Sequence, residues 1–265
     1  VNQYKLSIVA LVYNLEEYLP RCLDALVNQT LEDIEILCVD DGSKDSAPQI
    51  IDEYAKKYPQ KVKSFHKENG GEFTTRNYGL ERATGEYVTF VDTDDYVELD
   101  WAEKLYNAAK ENNADIAVCG FERIDLNTGK VVSKNMTQFG NTVKEINNKD
   151  DFMLFINPAP WNKIYRLETV KNQRFLNFRG FNDMIFLTSS YINAKKVAFI
   201  PDVLYHYYLR YDSQIHNVNN QDVENFKKYL LDLKALYIKE NKYEEMKYIL
   251  DMMAFIHLGT SVMYR

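Results

Sequence analysis

The chain has 265 residues and a net charge of −7, and 46% of its residues are hydrophobic. A chain of this length can bury a full core, and its acidic balance argues against a general nucleic-acid binder, which needs basic side chains to neutralise phosphates. No apolar run is long enough to span a bilayer, and no signal peptide is visible. The three cysteines form no CxxC pair and predict buried, reduced thiols, hence a protein of the reducing cytoplasm.

Buried strands and amphipathic helices alternate through the first 120 residues. Continuous apolar runs predict strands at residues 6–12, 34–39, 62–66, 87–91 and 115–120. Apolar residues at helical spacing predict helices at residues 19–28, 47–58, 73–83 and 101–112. Gly85 is expected to cap the third of these helices. The alternation predicts an α/β fold with a mainly parallel central sheet and flanking helices.

The pattern changes after Gly120. A hairpin is expected over residues 121–133, around a turn at 127–129. Further helices are expected at residues 149–156 and 181–193, and short strands at 197–200 and 204–209. From residue 223 the sequence predicts two helices that are broken near Asn241. We therefore expect one α/β domain over residues 1–215, divided into halves 1–120 and 121–215, and a helical extension over 216–265.

An acidic segment, Asp92-Thr93-Asp94 with Asp95 beside it, follows the fourth predicted strand. Carboxylates at this density repel one another unless a cation lies among them. Mg²⁺ and Mn²⁺ prefer oxygen ligands and bind through one or two carboxylates plus substrate phosphates. The segment therefore favours a metal-held diphosphate, with Asp92, Asp94 and Asp95 as candidate ligands. The alternative is an Asp-rich turn that caps the next helix.

Two further polar segments are candidates for the same site, since ligands bind at the carboxyl ends of parallel strands. Asp40 and Asp41 follow the second strand, where a carboxylate can accept hydrogen bonds from a uracil N–H or from ribose hydroxyls. The pair Gly70-Gly71 opens the helix that carries Arg76, whose guanidinium suits a diphosphate or a base. The alternatives are an ordinary strand-to-helix turn and a solvated arginine.

These segments, in this order, resemble glycosyltransferase family 2, the inverting enzymes of the GT-A fold that build bacterial cell-surface polysaccharides. The segments that carry the resemblance are residues 7–14, 39–45, 69–80 and 83–95, with weaker agreement at 160–166 and 203–207. The resemblance implies a nucleotide-diphosphate sugar donor, often UDP-linked, and a hydroxyl acceptor on a glycan or a lipid-linked saccharide. The QxxRW signature of processive synthases is absent from the sequence, which favours the addition of a single sugar.

The resemblance also implies roles for individual residues. Residues 1–120 would be the nucleotide-sugar-binding half, and 121–215 the acceptor-side half. The donor-binding residues would be Val12, Tyr13, Asn14, Asp40, Asp41, Gly70, Arg76, Asp92, Thr93 and Asp94. The cofactor would be Mg²⁺ or Mn²⁺, held by Asp94 with Asp92 or Asp95.

An inverting transferase also needs a general base that takes the proton of the attacking hydroxyl. The resemblance assigns this role to Asp183, which could otherwise be an acid favoured by a helix N-terminus. The family usually has Glu immediately before this Asp, whereas this chain has Asn182. Trp161, Asn182 and His206 are further candidates for the acceptor or diphosphate side, although Trp161 and His206 could equally belong to the core.

Two other classes of protein remain open. A catalytically inactive nucleotide-sugar-binding protein of the same fold would carry the same acidic segments, and only Asn182 favours it. A nucleotidyltransferase also uses an acidic strand end, but its glycine- and lysine-rich N-terminal loop is missing, since the first strand continues into YNLE at residues 13–16.

The predicted C-terminal helices mix lysines, acids and apolar residues. Such helices can make a peripheral membrane contact beside a lipid-linked acceptor, form a homodimer, or pack on the domain. The glutamates dilute the positive charge, which favours packing or dimerisation over the membrane contact.

Overall fold

The computed structural model describes residues 4–147, 152–177, 182–210 and 220–255. Within these ranges the strands are β1 (Tyr4–Val12), β2 (Ile34–Asp40), β3 (Val62–His66), β4 (Gly85–Asp92), β5 (Tyr96–Val97), β6 (Ile116–Asp125), β7 (Val131–Asn135), β8 (Thr142–Glu145), β9 (Lys163–Arg166) and β10 (Lys196–Leu209). The helices are α1 (Leu19–Val27), α2 (Ala47–Lys57), α3 (Glu72–Arg82), α4 (Trp101–Glu111), α5 (Phe152–Phe155), α6 (Leu167–Val170), α7 (Asn182–Ser190), α8 (Asn220–Lys239) and α9 (Tyr243–Ala254).

One sheet runs through the described residues in the strand order β3-β2-β1-β4-β9-β6-β10-β5. Strands β3, β2, β1 and β4 are parallel to one another, as are β6 and β10. Strand β9 lies antiparallel between β4 and β6 and so joins the two parallel parts. The predicted α/β architecture with flanking helices is confirmed.

The two central strands β1 and β2 are buried because both faces of the sheet are covered. All seven residues of β2 are buried, including Glu35. This carboxylate accepts hydrogen bonds from the Ser7 hydroxyl at 2.6 Å and from Lys63 Nζ at 2.7 Å. Since a buried charge is tolerated only when it is paired and hydrogen-bonded, these two contacts explain an acid in the core.

Helix α3 approaches β1 closely at Gly79, where a Cβ atom would lie 2.2 Å from Val9 Cγ1. We expect Gly79→Ala to lower the free energy of unfolding by about 1–3 kcal/mol, because overpacking outweighs the better helix propensity of Ala. Urea denaturation measures the change. In the double variant with Val9→Ala, the second substitution should remove part of the overpacking cost, so that the two effects are not additive. A Gly79→Ala protein as stable as the unsubstituted chain would contradict the close contact.

Two local predictions were wrong. Gly85 does not cap a helix but begins β4, where a Cβ atom would lie 2.7 Å from the backbone nitrogen of Ser7. The two short strands predicted after residue 196 form the single strand β10, whose register shifts between Ile200 and Val203. The hairpin prediction is confirmed by β6 and β7. Helix α5 covers only part of the predicted segment 149–156, and residues 148–151 lie outside the described residues.

The predicted C-terminal helix pair is confirmed, with Asn241 at a φ of 55° between α8 and α9. Helix α8 packs against α7: the Tyr229 hydroxyl lies 2.7 Å from Thr188 Oγ1, and the Tyr237 hydroxyl donates to the Thr188 carbonyl at 2.8 Å. No helix in the described ranges is long and apolar enough to cross a membrane. Packing on the domain is thus observed, while membrane contact and homodimerisation stay predictions. The expected boundary at residues 215–216 lies outside the described residues.

Candidate functional site

The acidic segments lie at one edge of the sheet because β1 separates the strands that carry them. In the parallel register Val12 of β1 pairs with Asp40 of β2, and Leu11 pairs with Asp92 of β4. The carboxyl ends of β2 and β4 therefore flank the end of β1. The predicted juxtaposition of the two acidic segments follows directly from this strand order.

Asp41 fastens the glycine loop to the end of β2. Its Oδ1 accepts a hydrogen bond from Gly70 N at 2.9 Å, and its Oδ2 accepts one from Gly71 N at 2.8 Å. Lys67 forms an ion pair with the same carboxylate, which is 5% exposed. Asp41 therefore shapes the site through the backbone at Gly70, whereas the sequence predicted a direct contact with the nucleoside.

Asp40 lines a cavity of about 620 Å³ together with Tyr13, Lys44, His66, Lys67 and Glu68. Its Oδ1 accepts from Ser43 N at 2.9 Å, and its Oδ2 lies 3.3 Å from His66 Nδ1. Burial lowers the pKa of His66, but the hydrogen bonds to Asp52 and Asp40 outweigh it, and the net pKa is raised. An exposed tyrosine ring, cations and a carboxylate in one cavity suit a nucleotide.

The predicted residues Val12 and Asn14 flank Tyr13, which lines this cavity. Val12 is buried at the end of β1. Asn14 has a φ of 51°, donates its backbone N–H to Ser43 Oγ at 3.0 Å, and accepts from Lys44 N at 2.8 Å. These bonds join the segment after β1 to the turn after β2. Tyr13, next to Asn14, is 48% exposed.

Arg76 connects the two halves of the site. Its side chain is 3% exposed; Nη1 donates to Asp183 Oδ1 at 2.6 Å, and Nη2 donates to Asp92 Oδ1 at 3.3 Å. Glu72 Oε2 lies 3.7 Å from the same Nη2. Arg76 was expected to contact the donor itself, but it forms an ion-paired link between the acidic strand end and the predicted base.

Burial and neighbouring charges shift both carboxylates that Arg76 contacts. Burial raises the pKa of Asp92 to about 7, although Arg76 opposes the shift. Burial also raises the pKa of Asp183; Arg76 opposes this, and Glu72 adds to it. Because the Asp183 side chain is still 33% exposed, it is a reachable carboxylate with increased proton affinity. Such a group can accept a proton from a hydroxyl.

Asp92 and Asp94 fit a divalent metal that is completed by its substrate. Among the described residues, no group of three or more His, Cys, Asp or Glu side chains is arranged to hold a metal ion alone. Mg²⁺ and Mn²⁺ commonly take only one or two carboxylates from a protein and fill their remaining positions with phosphate oxygens and water, a number that Asp92 and Asp94 could supply. Arg210 Nη2 lies 3.1 Å from Asp94 Oδ2, and Arg21 Nη2 donates to the Asp94 carbonyl at 2.9 Å, so this point also carries positive charge.

Asp95 has a structural role, and we do not retain it among the candidate metal ligands. It is fully buried and accepts hydrogen bonds from the Tyr205 hydroxyl at 2.7 Å and from Tyr208 N at 2.9 Å. Both carboxylate oxygens are thus bound by β10. Thr93 is also fully buried, and its hydroxyl donates to the Leu11 carbonyl at 2.6 Å.

The remaining candidates lie on the acceptor side. Trp161 is 6% exposed and stacks on Tyr205 with ring centroids 4.3 Å apart, which corresponds to the core alternative. His206 lies between Glu122 at 2.9 Å and Glu98 at 2.7 Å, so both ring nitrogens already have partners in the chain. Asn182 donates to Glu72 Oε1 at 3.1 Å, beside Asp183.

Sequence reasoning missed five ionisable residues of the site: Arg21, His66, Lys67, Glu72 and Arg210. His66 ends β3 and Lys67 follows it, so the strand-end rule that found the acids would have found both. Arg210 likewise follows the end of β10. Arg21 lies within helix α1, where nothing in the local pattern distinguishes it from a solvated charge.

The mostly parallel sheet and its flanking helices have the GT-A fold of solved glycosyltransferases. The family model described as Glycosyl transferase family 2 matches residues 7–175, and the chain belongs to this family. It is 33% identical to EpsH of Bacillus subtilis over 259 residues, which are 95% of this chain and 74% of EpsH. It is 34% identical to the poly(ribitol-phosphate) beta-glucosyltransferase of Bacillus spizizenii over 260 residues, which are 96% of this chain but only 40% of that enzyme.

A solved structure of S. aureus TarS, residues 1–349 in complex with UDP-GlcNAc, superimposes with a TM-score of 0.73 at 25% identity. The match covers 87% of this chain and 66% of that one. The mannosyltransferase PcManGT of Pyrobaculum calidifontis, in complex with GDP-Man and Mn²⁺, shares the fold with a TM-score of 0.62 at 17% identity. That match covers 96% of this chain and 70% of PcManGT.

Proposed function

We propose that this glycosyltransferase moves one sugar from a nucleoside-diphosphate sugar, with UDP as the nucleotide, to a hydroxyl of a glycan or lipid-linked acceptor, with inversion at the anomeric carbon. The observation that carries the proposal is the Arg76 link: one buried guanidinium holds Asp183 at 2.6 Å and Asp92 at 3.3 Å. A carboxylate of raised pKa is thereby fixed beside the acidic strand end at Asp92.

In the proposed reaction Asp183 accepts the proton of the acceptor hydroxyl as its oxygen bonds to the anomeric carbon. The bond from that carbon to the diphosphate breaks, and its electron pair leaves with the nucleoside diphosphate. Asp92 and Asp94 would hold Mg²⁺ or Mn²⁺, which supplies positive charge to the departing diphosphate. Tyr13 and Asp40 would bind the nucleoside in the cavity at the end of β2.

The cellular setting is part of the proposal. Cys22, Cys38 and Cys119 are buried free thiols. Unpaired cysteines are typical of proteins in a reducing compartment, which supports a cytoplasmic enzyme. A lipid-linked acceptor would meet such an enzyme at the inner face of the membrane.

The proposal is tested by nucleotide release from UDP-, GDP- and dTDP-sugars in the presence of Mn²⁺ or Mg²⁺. Release from a UDP-sugar supports UDP as the nucleotide and identifies the sugar. Calorimetric binding of UDP without release, in the presence of a panel of glycan and polyol-phosphate acceptors, would favour an inactive binding protein of the same fold. No binding of any nucleotide would contradict the proposal.

Metal removal gives a second expected outcome. EDTA should abolish nucleotide release, because the metal's positive charge stabilises the transition state by several kcal/mol. It should also weaken UDP binding at least about tenfold, because part of this stabilisation is already present with the bound diphosphate. Added Mn²⁺ should restore both quantities. Asp94→Asn should make calorimetric UDP affinity insensitive to EDTA, and Asp202→Asn, an exposed acid paired with Lys104, is the matched control. If EDTA leaves the UDP affinity of the unsubstituted chain unchanged, Asp94 is excluded as a ligand of a metal that binds UDP.

A further inference from the structure

Glu72 lies at the point where α3 meets α7 beside the proposed base. It is the first residue of α3, and its side chain is 58% exposed. Its Oε1 accepts a hydrogen bond from Asn182 Nδ2 at 3.1 Å, and its Oε2 lies 3.7 Å from Arg76 Nη2. One carboxylate therefore contacts both the residue next to Asp183 and the guanidinium that pairs with Asp183.

The charges around Asp183 come from three elements. Arg76 and Glu72 belong to α3, Asp92 ends β4, and Lys163 begins β9. The ammonium of Lys163 donates to the carbonyls of Asn157 and Ala159 at 2.6 and 2.7 Å, so its hydrogen bonds are directed at the chain before β9. Arg76 is thus the cation bonded to Asp183, and three carboxylates share it.

This sharing decides how strongly Arg76 neutralises Asp183. A carboxylate that is fully matched by one guanidinium is a weak proton acceptor, because the cation stabilises the ionised form. A second carboxylate on the same guanidinium opposes that stabilisation. The hydrogen bond from Asn182 also ties the first residue of α7, next to Asp183, to the first residue of α3.

We propose that Glu72 is a positioning residue for Asp183, which holds the start of α7 through Asn182 and shares Arg76 so that Asp183 remains an effective base. The inference rests on the proposed function. In this proposal Glu72 contacts neither the donor nor the acceptor. It acts through Asn182 and Arg76.

Glu72→Gln isolates the charge, because the amide oxygen can still accept from Asn182. We expect kcat to fall about tenfold, within the range that general-base catalysis contributes, with an unchanged KM for the donor. The acidic limb of the kcat–pH profile should move to lower pH, because removal of a negative neighbour lowers the pKa of Asp183. Glu81→Gln is the control: Glu81 lies on the same helix, is 49% exposed and also faces an arginine, Arg174, at 3.4 Å.

A charge relocation separates this role from a merely structural one. In the double variant Glu72→Gln/Asn182→Glu, the carboxylate moves to the residue before Asp183. We expect it to recover at least half of the lost kcat on a logarithmic scale and to return the acidic limb towards its original pH. Thermal unfolding of each variant checks that the fold is unchanged.

The outcomes distinguish this inference from the proposed function. If the unsubstituted chain turns over donor and Asp183→Asn does not, the function stands, and a Glu72→Gln enzyme with unaltered kcat and pH profile overturns the inference alone. A change confined to the donor KM also overturns it, because Glu72 would then act on donor binding. A chain that turns over no donor overturns both.

Discussion

Replacing Asp183 with Asn is expected to lower sugar transfer by about 10²–10⁴-fold, the contribution of a general base. The amide keeps the size of the side chain, and its oxygen can still accept the hydrogen bond that Arg76 Nη1 donates at 2.6 Å. It cannot take up a proton at neutral pH. The expected signature is loss of kcat with little change in UDP affinity, measured by acceptor-dependent nucleotide release and by calorimetry.

Asp33→Asn is the matched control for this substitution. Asp33 precedes β2 at the opposite end of the sheet, its side chain is 65% exposed, and its φ of 59° is one that Asn adopts readily. Equal losses in the two variants would point to a general effect on folding. Full activity of Asp183→Asn would exclude Asp183 as the base.

Arg76→Met is expected to have the largest effect on stability, about 3–5 kcal/mol, because it removes a buried cation and leaves two partly buried carboxylates without it. The side chain is 3% exposed, and both Asp92 and Asp183 depend on it. Urea denaturation at pH 7.5 in EDTA measures the loss. Arg82→Met, on the same helix and with a side chain 37% exposed, should cost less than about 1 kcal/mol.

The destabilisation by Arg76→Met should shrink as the pH falls from 7.5 to 5. The folded-state pKa of Asp92 is raised to about 7. A carboxyl whose pKa is higher in the folded state than in the unfolded state favours folding most when it is protonated. This contribution to the free energy of unfolding is lost as the pH rises through the folded-state pKa. Loss of Arg76 raises the pKa further, so a protonated Asp92 reduces the penalty at pH 5. An equal loss of stability at both pH values would contradict the role of Arg76 as the counter-charge.

The strands and helices were predictable where the determinant was local. The apolar runs of β1 and β2 predict buried strands because a strand covered on both faces needs apolar residues throughout. Strand β9 was not predicted, because its four residues KIYR are short and half of them are charged. Its pairing with β4 and β6 depends on partners far away in the chain.

The same distinction applies to the site. The acidic strand ends at Asp40 and Asp92 could be placed together, since parallel strands bring their carboxyl ends to one edge. The exclusion of Asp95 could not be predicted, because the tyrosines that bind it lie more than 100 positions away in the sequence. Arg76 likewise pairs with an acid 107 residues further along the chain, and no local pattern reports such a contact.

The contact between α8 and α7 bears on how small an active enzyme can be made. Helix α7 carries Asp183 at its start, and Tyr229 and Tyr237 of α8 are hydrogen-bonded to its other end. The segment matched by the family model ends at residue 175, before either helix. A fragment trimmed to that shared segment would lose the proposed base, the α8 contact behind it, and β10, which pairs with β6 and binds the buried Asp95, so the shared segment alone is too short for an active enzyme.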